Sequence, residues 1–410
     1  MNGAPKGVRL HIGIFGRRNV GKSSLLNALS GQDVAIVSPT AGTTTDPVEK
    51  TLEFAPLGPV VFHDTAGVDD SGELGTQRID RSLAVLPAVD MALLVTDASS
   101  AWGPHEAELA SRLAAEDIPF VVVCNKADTA SPGPLGPFPV LDNVRVVQVS
   151  AQTGVGMDAL REALVALAPV ATQEPPLVAD LLPPAGMVVL VVPLDSGAPK
   201  GRLILPQVQT IRDVLDGRKL SLVVTEKDLP AAFASLREPP ALVVCDSQVV
   251  REVAAMTPEH IPLTTFSILM ARLKGDLPTL AAGAAAIGHL GENSRILILE
   301  ACSQHPLKDD IGRVKIPRLL QKCTGHNLHF DMVAGKRLNG MGQEHALAIH
   351  CGGCTLTRRQ MRQRLAEARA ANMPITNYGV AISFAQGVLE RVLSPFPDAL
   401  AAFREASKRA

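Results

Sequence analysis

The sequence predicts an α/β protein: a phosphate-loop nucleotide-binding domain followed by two smaller parallel α/β domains. Three observations carry this. First, Gly16-Arg17-Arg18-Asn19-Val20-Gly21-Lys22-Ser23 reads G-x-x-x-x-G-K-S between an apolar run, Leu10 to Phe15, and a stretch of helical spacing, Ser24 to Ser30. Second, apolar runs rich in Val, Ile and Leu alternate with helical stretches along most of the chain, as parallel sheets require. Third, the Pro-rich joint Glu174-Pro175-Pro176 and Leu182-Pro183-Pro184 cuts the chain after the first of these domains. The expected boundaries are 8–170, 175–270 and 271–410.

The bulk numbers limit the function classes. A chain of 410 residues is too long for one core. Hydrophobic content of 46% with 20% charge fits a globular protein rather than a disordered one. A net charge of −2 gives no general pull on nucleic acid, and 3% aromatics offer few stacking platforms for single strands. No apolar run approaches the roughly 20 residues of a membrane span, and Met1 to Gly7 lacks a signal-peptide pattern. A cytoplasmic location, with no nucleic-acid or membrane partner, is therefore expected. In such a reducing compartment the six cysteines should not form structural disulfides. Cys124 and Cys245 end Val-rich runs and read as small buried hydrophobes.

In the first domain the glycines let backbone N–H groups close round a phosphate, and the following helix adds positive potential. Gly16, Asn19, Val20, Gly21, Lys22, Ser23 and Ser24 form this cradle. Lys22 is placed to reach the outer phosphates and the Ser23 hydroxyl to hold Mg²⁺. Asp64-Thr65-Ala66-Gly67 follows the run Val60 to His63, so Asp64 can hold Mg²⁺ through water and the Gly67 backbone can approach the γ-phosphate. Thr44, in Gly42-Thr43-Thr44-Thr45-Asp46, is a second Mg²⁺ ligand. Lys22, Thr44, Asp64 and Gly67 are thus the candidate catalytic set. Asn125-Lys126-Ala127-Asp128 follows another apolar run. Asp128 can accept both N1–H and N2–H of guanine, a donor pair that adenine lacks, which selects GTP. Ser150-Ala151 follows Val144 to Val149 and can offer backbone to guanine O6.

Each motif alone is weak. All five, in order and each at the end of a strand, resemble the small GTPases of the TrmE-Era branch across residues 8 to 170. Val68 follows the D-T-A-G motif, so no Gln stands where Ras-like proteins orient the attacking water. The resemblance implies slow GTP hydrolysis stimulated by K⁺, with Asn19 helping to hold the ion. Thr45 departs from the Arg common in the branch.

The middle part alternates strands and helices: strand Met187 to Val192, helix from Pro206, strand Leu220 to Thr225, helix Pro230 to Leu236, strand Ala241 to Cys245, helix Ser247 to Met256. It carries no catalytic constellation. Asp195, Lys200 and Arg202 read as a solvated loop.

In the last part Arg295 to Glu300 runs into Ala301-Cys302-Ser303-Gln304-His305, and Ala346 to Ile349 runs into His350-Cys351-Gly352-Gly353-Cys354. If the sheet is parallel, both groups emerge at one edge and form one ligand set. Cys351 and Cys354 have the C-x-x-C spacing with which two thiolates bind one metal centre. Three thiolates and one variable position suit an Fe–S cluster. Two thiolates with histidines suit Zn²⁺ equally well. Cys323 reads as a packing residue, and His345 as a surface or strand-start histidine.

A GTPase domain, an α/β middle and this third part together resemble the FeFe-hydrogenase maturation GTPases, the HydF family. Pro206 to Asp213, Pro262 to Ser267 and Thr376 to Gly379 look like that family too. The resemblance implies a homodimer formed through the middle part. It also implies a 4Fe-4S cluster on Cys302, Cys351 and Cys354, and a scaffold that carries a di-iron precursor to apo FeFe-hydrogenase and meets radical-SAM maturases. His350 carries over as a motif position. Gln304 stands where the family has His, which leaves neighbouring His305, Gln304 itself or water for the fourth position. Two other readings stand beside this one: an RNA-associated GTPase, and a zinc-stabilised GTP-dependent switch.

Overall fold

The computed structural model describes residues 9–31, 48–65, 83–100, 102–129, 144–171, 176–194, 203–301, 310–335, 344–353 and 356–409. The chain forms two compact units, Met1–Gln173 and Glu174–Ala410.

The first unit is a six-stranded sheet. Its strands are β1 (Leu10–Gly16), β2 (Val48–Phe54), β3 (Gly58–Asp64), β4 (Met91–Asp97), β5 (Phe120–Asn125) and β6 (Arg145–Gln148), in the order β2-β3-β1-β4-β5-β6. Only β2 runs antiparallel, paired with β3. Helices α1 (Lys22–Ser30), α2 (Pro104–Ala115) and α3 (Met157–Ala171) accompany it. β1 is buried at every position because both sheet faces are covered, so its sequence is a continuous apolar run rather than an alternating one. α1 buries Leu25, Leu26 and Leu29 on one face and stops at Gly31, whose φ of 67° closes the helix in a left-handed cap. Strands β2 and β4 carry none of the motifs. β4 nevertheless lies at the centre, between β1 and β5.

The second unit holds two four-stranded, wholly parallel sheets. The first contains β7 (Met187–Val191), β8 (Leu220–Val224), β9 (Leu242–Cys245) and β10 (Leu263–Thr265), in the order β10-β9-β7-β8. Its helices are α4 (Leu205–Asp216), α5 (Leu229–Ser235), α6 (Val250–Met256) and α7 (Phe266–Lys274), with α8 (Leu277–Ala284) following. The second sheet contains β11 (Arg295–Glu300), β12 (His329–Ala334), β13 (Leu347–His350) and β14 (Ile375–Asn377), in the order β12-β11-β13-β14. Its helices are α9 (Ile316–Thr324), α10 (Arg358–Ala370), α11 (Tyr378–Ala385), α12 (Leu389–Leu393) and α13 (Pro397–Arg409).

These two sheets have one topology, built twice. In each, the first strand sits second, flanked by the second strand on one side and the third and fourth on the other. The registers agree: Val191 faces Cys245 and Cys245 faces Thr265, as Leu299 faces His350 and His350 faces Asn377. Thr265 and Asn377 then each cap the next helix, accepting from Ile268 N at 3.2 Å and Val380 N at 2.8 Å. The equivalent residues Ser267 and Gly379 meet: a Cβ on Gly379 would lie 2.1 Å from that of Ser267. A single buried core runs through both sheets, from Val189 and Val243 through Leu269, Leu280 and Ala284 to Ile298, Ile349 and Val380.

Candidate functional site

In the first unit, the parallel strands deliver the phosphate loop, Asp64, Asp97, Asn125 and Ser150 to one sheet edge, the C-terminal one. The loop needs its glycines. Gly16 has φ 152°, and a Cβ there would lie 2.2 Å from Val95 O. Gly21 has φ 91°, and its Cβ would lie 2.3 Å from Asn125 Nδ2. Asn19 also takes a left-handed φ, 61°. Lys22 folds back over the loop and donates to Gly16 O at 3.0 Å and Arg17 O at 2.8 Å. That places its ammonium where phosphate oxygens would compete for it.

Ser23 Oγ donates to Asp64 Oδ2 at 2.7 Å. The other carboxylate oxygen, Asp64 Oδ1, is buried with no hydrogen-bond partner among the described residues. Burial raises the Asp64 pKa, against the lowering influence of Ser23, Lys22 and Lys50. A buried carboxylate with one open oxygen, beside a hydroxyl, suits a hard divalent cation such as Mg²⁺. Thr65 is held by its hydroxyl to Ile14 O at 2.6 Å.

The base-recognition segment is tied to the phosphate loop. Asn125 Nδ2 donates to Val20 O at 2.9 Å, and its Oδ1 accepts from Ala151 N at 3.0 Å. Asn125 is therefore a strut between the two ends of the site. Lys126, at φ 63°, donates to Asp97 Oδ2 at 2.7 Å. Partial burial works against the Asp97 carboxylate, but hydrogen bonds from Lys126 and Ser99 outweigh it and hold the pKa below the usual range. Asp128 is exposed, as a residue that reads a base must be. Ser150 is buried, and its hydroxyl accepts from Thr153 N at 3.1 Å, which shapes the turn that presents Ala151. Arg17 pairs with Glu106 of α2, a buried carboxylate that also accepts from Gly103 N at 3.0 Å. Thr44 and Gly67 lie outside the described residues.

In the second unit, β11 and β13 are parallel neighbours, so the segments that follow them leave at one edge. Cys351 N donates to Leu299 O at 2.8 Å, and Ala301 N donates to Cys351 Sγ at 3.2 Å. The tip of the strand that leads into Cys302 thus abuts the Cys351 sulfur. Cys302, Gln304, His305 and Cys354 lie outside the described residues. Among the described residues no group of three or more His, Cys, Asp or Glu gathers as a metal site. Gly353 has φ 61°, and a Cβ there would meet Met361 Cε at 2.4 Å, while a Cβ on Gly352 would meet nothing within 4 Å. The loop is therefore packed on one side and open on the other.

Three residues of this part need separate mention. His350 is fully buried at the end of β13, with Nδ1 on the Cys351 carbonyl and Nε2 accepting from Arg364 Nη1 at 2.6 Å. Burial, reinforced by the Arg364 charge, pushes its pKa down to about 4. Both ring nitrogens are thus engaged, and His350 braces the start of the cysteine loop. Cys323 is exposed rather than packed. His345 precedes β13 as expected, but its side chain is buried and reaches Asp331 Oδ2 at 3.0 Å. Cys124 and Cys245 are buried as read.

Sequence reasoning missed four supports. Asp97 carries a weak signal, a carboxylate ending an apolar run. Glu106 and Arg364 carry none. Lys274 is buried at the end of α7 and donates to Gly353 O at 3.2 Å and Leu356 O at 2.9 Å, bracketing the cysteine loop from below. Arg364 also donates to Gly335 O at 2.5 Å.

Residues 11–126 match the model of the 50S ribosome-binding GTPases. Fold and site together define a P-loop GTPase domain joined to a twice-built parallel α/β unit. Residues 177–275 match the hydrogen maturase F dimerization domain, and residues 278–395 the hydrogen maturase F tetramerization domain. The chain belongs to the hydrogen maturase F family. Its first domain is also similar to curated GTPases: tRNA modification GTPase MnmE of Chloroflexus aurantiacus, 40% identical over 167 residues, 40% of this chain and 36% of that protein, and GTPase Der of Wolinella succinogenes, 37% identical over 169 residues, 39% and 35%. The chain thus spans about a third of the length of these relatives. Among solved structures, Aquifex aeolicus Era bound to GDP and aluminium fluoride is 30% identical, covers 38% of this chain and 56% of that one, and has a TM-score of 0.33. Among the described residues no helix is long and apolar enough to cross a membrane.

Proposed function

We propose that this protein hydrolyses GTP and serves as an iron–sulfur scaffold that delivers a di-iron precursor to apo FeFe-hydrogenase. The observation that carries the reading is the Ala301 N–H on the Cys351 sulfur, at the rim where the segment bearing Cys302 also begins. A backbone N–H aimed at a sulfur stabilises a thiolate and tolerates sulfide nearby. Cys302, Cys351 and Cys354 would supply three thiolates and leave one iron position exchangeable. A cluster held there would supply that open coordination position for cargo. Lys274 holds the Gly353 and Leu356 carbonyls and Arg364 holds His350, which supports the described part of the loop. Membership of the hydrogen maturase F family supports the maturation role and the radical-SAM maturases as partners.

In the GTPase domain, Ser23, Asp64 and Thr44 would hold Mg²⁺, Lys22 the outer phosphates and Asp128 the guanine edge. Asn19 would help hold K⁺, and hydrolysis is expected to be faster in K⁺ than in Na⁺; equal rates in the two salts would remove that ion from the scheme.

The test of the scaffold is anaerobic reconstitution followed by EPR of the wild type and of Cys302→Ser, Cys351→Ser and Cys354→Ser. A cluster signal lost or altered in each variant supports the assignment. A signal unchanged in all three, or a colourless zinc protein, overturns it.

A further inference from the structure

We infer that Glu106, on the first turn of α2, is a positioning residue for GTP hydrolysis: through Arg17 it fixes the backbone carbonyl that aims the Lys22 ammonium at the outer phosphates. The inference rests on the reading of the first unit as a GTP-hydrolysing domain. It adds to that reading a residue that none of the five nucleotide motifs contains.

An ammonium carries three N–H donors. Lys22 directs two of them at the phosphate loop itself, Gly16 O at 3.0 Å and Arg17 O at 2.8 Å. Two donors so directed fix where the third points. The aim of Lys22 is therefore only as good as the placement of those two carbonyls. Gly16 is the last residue of β1 and is held in register with Val95 of β4. Arg17 has already left the strand. Its own side chain supplies the anchor, with Nε on Glu106 Oε1.

The anchor is built to stay put. Glu106 is fully buried, while the Arg17 side chain keeps 27% of its surface in solvent. The second carboxylate oxygen, Oε2, accepts from Gly103 N at 3.0 Å at the head of α2. Each oxygen thus has its own partner, and the carboxylate is held from two sides. A buried carboxylate stripped of its cation is costly, so the pair holds as a unit. The connection that leads out of β4 does this twice. Its first carboxylate, Asp97, takes Lys126 of the base-recognition segment, and its later one, Glu106, takes Arg17 of the phosphate loop. A stretch without a nucleotide motif thereby braces both ends of the site.

Donors preorganised toward the place where charge develops act on the chemical step more than on ground-state binding, and displacing such a group by about 1 Å can cost on the order of 10²-fold. Steady-state GTP hydrolysis and GDP affinity of the full-length protein are therefore compared for the wild type, Glu106→Gln, Arg17→Gln, Arg17→Lys and the double variant Glu106→Gln/Arg17→Gln. A Gln at 106 can still accept from Gly103 N, so the head of α2 keeps its bond. We expect kcat to fall by about tenfold or more in Glu106→Gln and in Arg17→Gln, with GDP affinity moved by less than about threefold. The double variant is expected to be no worse than the weaker single, because both changes cut one link. Arg17→Lys, which keeps a cation for Glu106, loses less than Arg17→Gln. Far-UV circular dichroism checks that each variant folds, and the half-exposed Arg17 position serves if Glu106→Gln does not. Unchanged kcat in the folded variants, GDP affinity falling as far as turnover, or two losses that multiply in the double variant would overturn the assignment. No GTP turnover in the wild type sinks the hydrolysis reading and this inference with it.

Discussion

Ser23 and Asp64, 41 positions apart, meet through a 2.7 Å hydrogen bond at the C-terminal edge of the first sheet. That bond joins the phosphate loop to the end of β3 before any cation is present. It leaves one Asp64 oxygen buried and open. Asp64→Asn keeps the bond to Ser23 but removes the charge. GTP hydrolysis is expected to fall on the order of 10²–10³-fold and to lose its dependence on Mg²⁺, with GDP binding little changed. Single-turnover assays across a Mg²⁺ series check this; an unaltered Mg²⁺ response would remove Asp64 from the cation site.

Asp128 is exposed at the far end of the same edge, on the segment braced by Asn125. Asp128→Asn strips the charge from one hydrogen bond and turns the other into a donor facing a donor; at roughly 1.5–3 kcal/mol for each charged hydrogen bond, GTP binding should weaken by about 10²–10⁴-fold. An Asn presents one donor and one acceptor, which suits xanthine. Fluorescent-nucleotide titration should therefore show XTP bound more tightly than GTP, and a variant that still prefers GTP would place the base elsewhere.

β8 is an edge strand, and it exposes Leu220 and Val223; Leu215 of α4 is 59% exposed. An apolar sheet edge of this kind pairs readily with a second chain. The matched dimerization domain spans all three residues. Leu220→Lys with Val223→Lys is expected to halve the mass seen by sedimentation while leaving GTP binding intact. A mass unchanged at micromolar concentration would move the contact to another surface.

Gly283 of α8 packs flat on β14. A Cβ there would lie 2.0 Å from Ile375 O, a backbone atom that cannot swing away. Gly283→Ala should destabilise the second unit by about 3 kcal/mol, the upper part of the overpacking range, and lower its melting transition by several degrees. Calorimetry should show the first unit's transition unmoved by comparison.

Much of the nucleotide site was legible because its chemistry is local. Gly16 to Ser23, Asp64, Asn125 to Asp128 and Ser150 each sit within a few residues of a strand end, and strand ends are marked by apolar runs. The supports were not legible, because register decides them. Nothing near Lys274 in sequence hints that it will reach Gly353, 79 positions on. Arg364 reads as one cation among several on a basic helix, yet it is the one turned inward onto His350. The burial of His350 at the end of β13 was equally hidden, since its place in a His-Cys-x-x-Cys string says nothing of depth. The shared topology of the two sheets escaped notice because connecting loops of unequal length hide it along the chain.

One hydrophobic body runs through both sheets of the second unit, with α8 at its seam. A fragment cut there would bare leucines such as Leu280 and Leu297 and fall out of solution. The Cys351 end of β13 is therefore no swinging arm: it shares the frame of the whole block on which it sits.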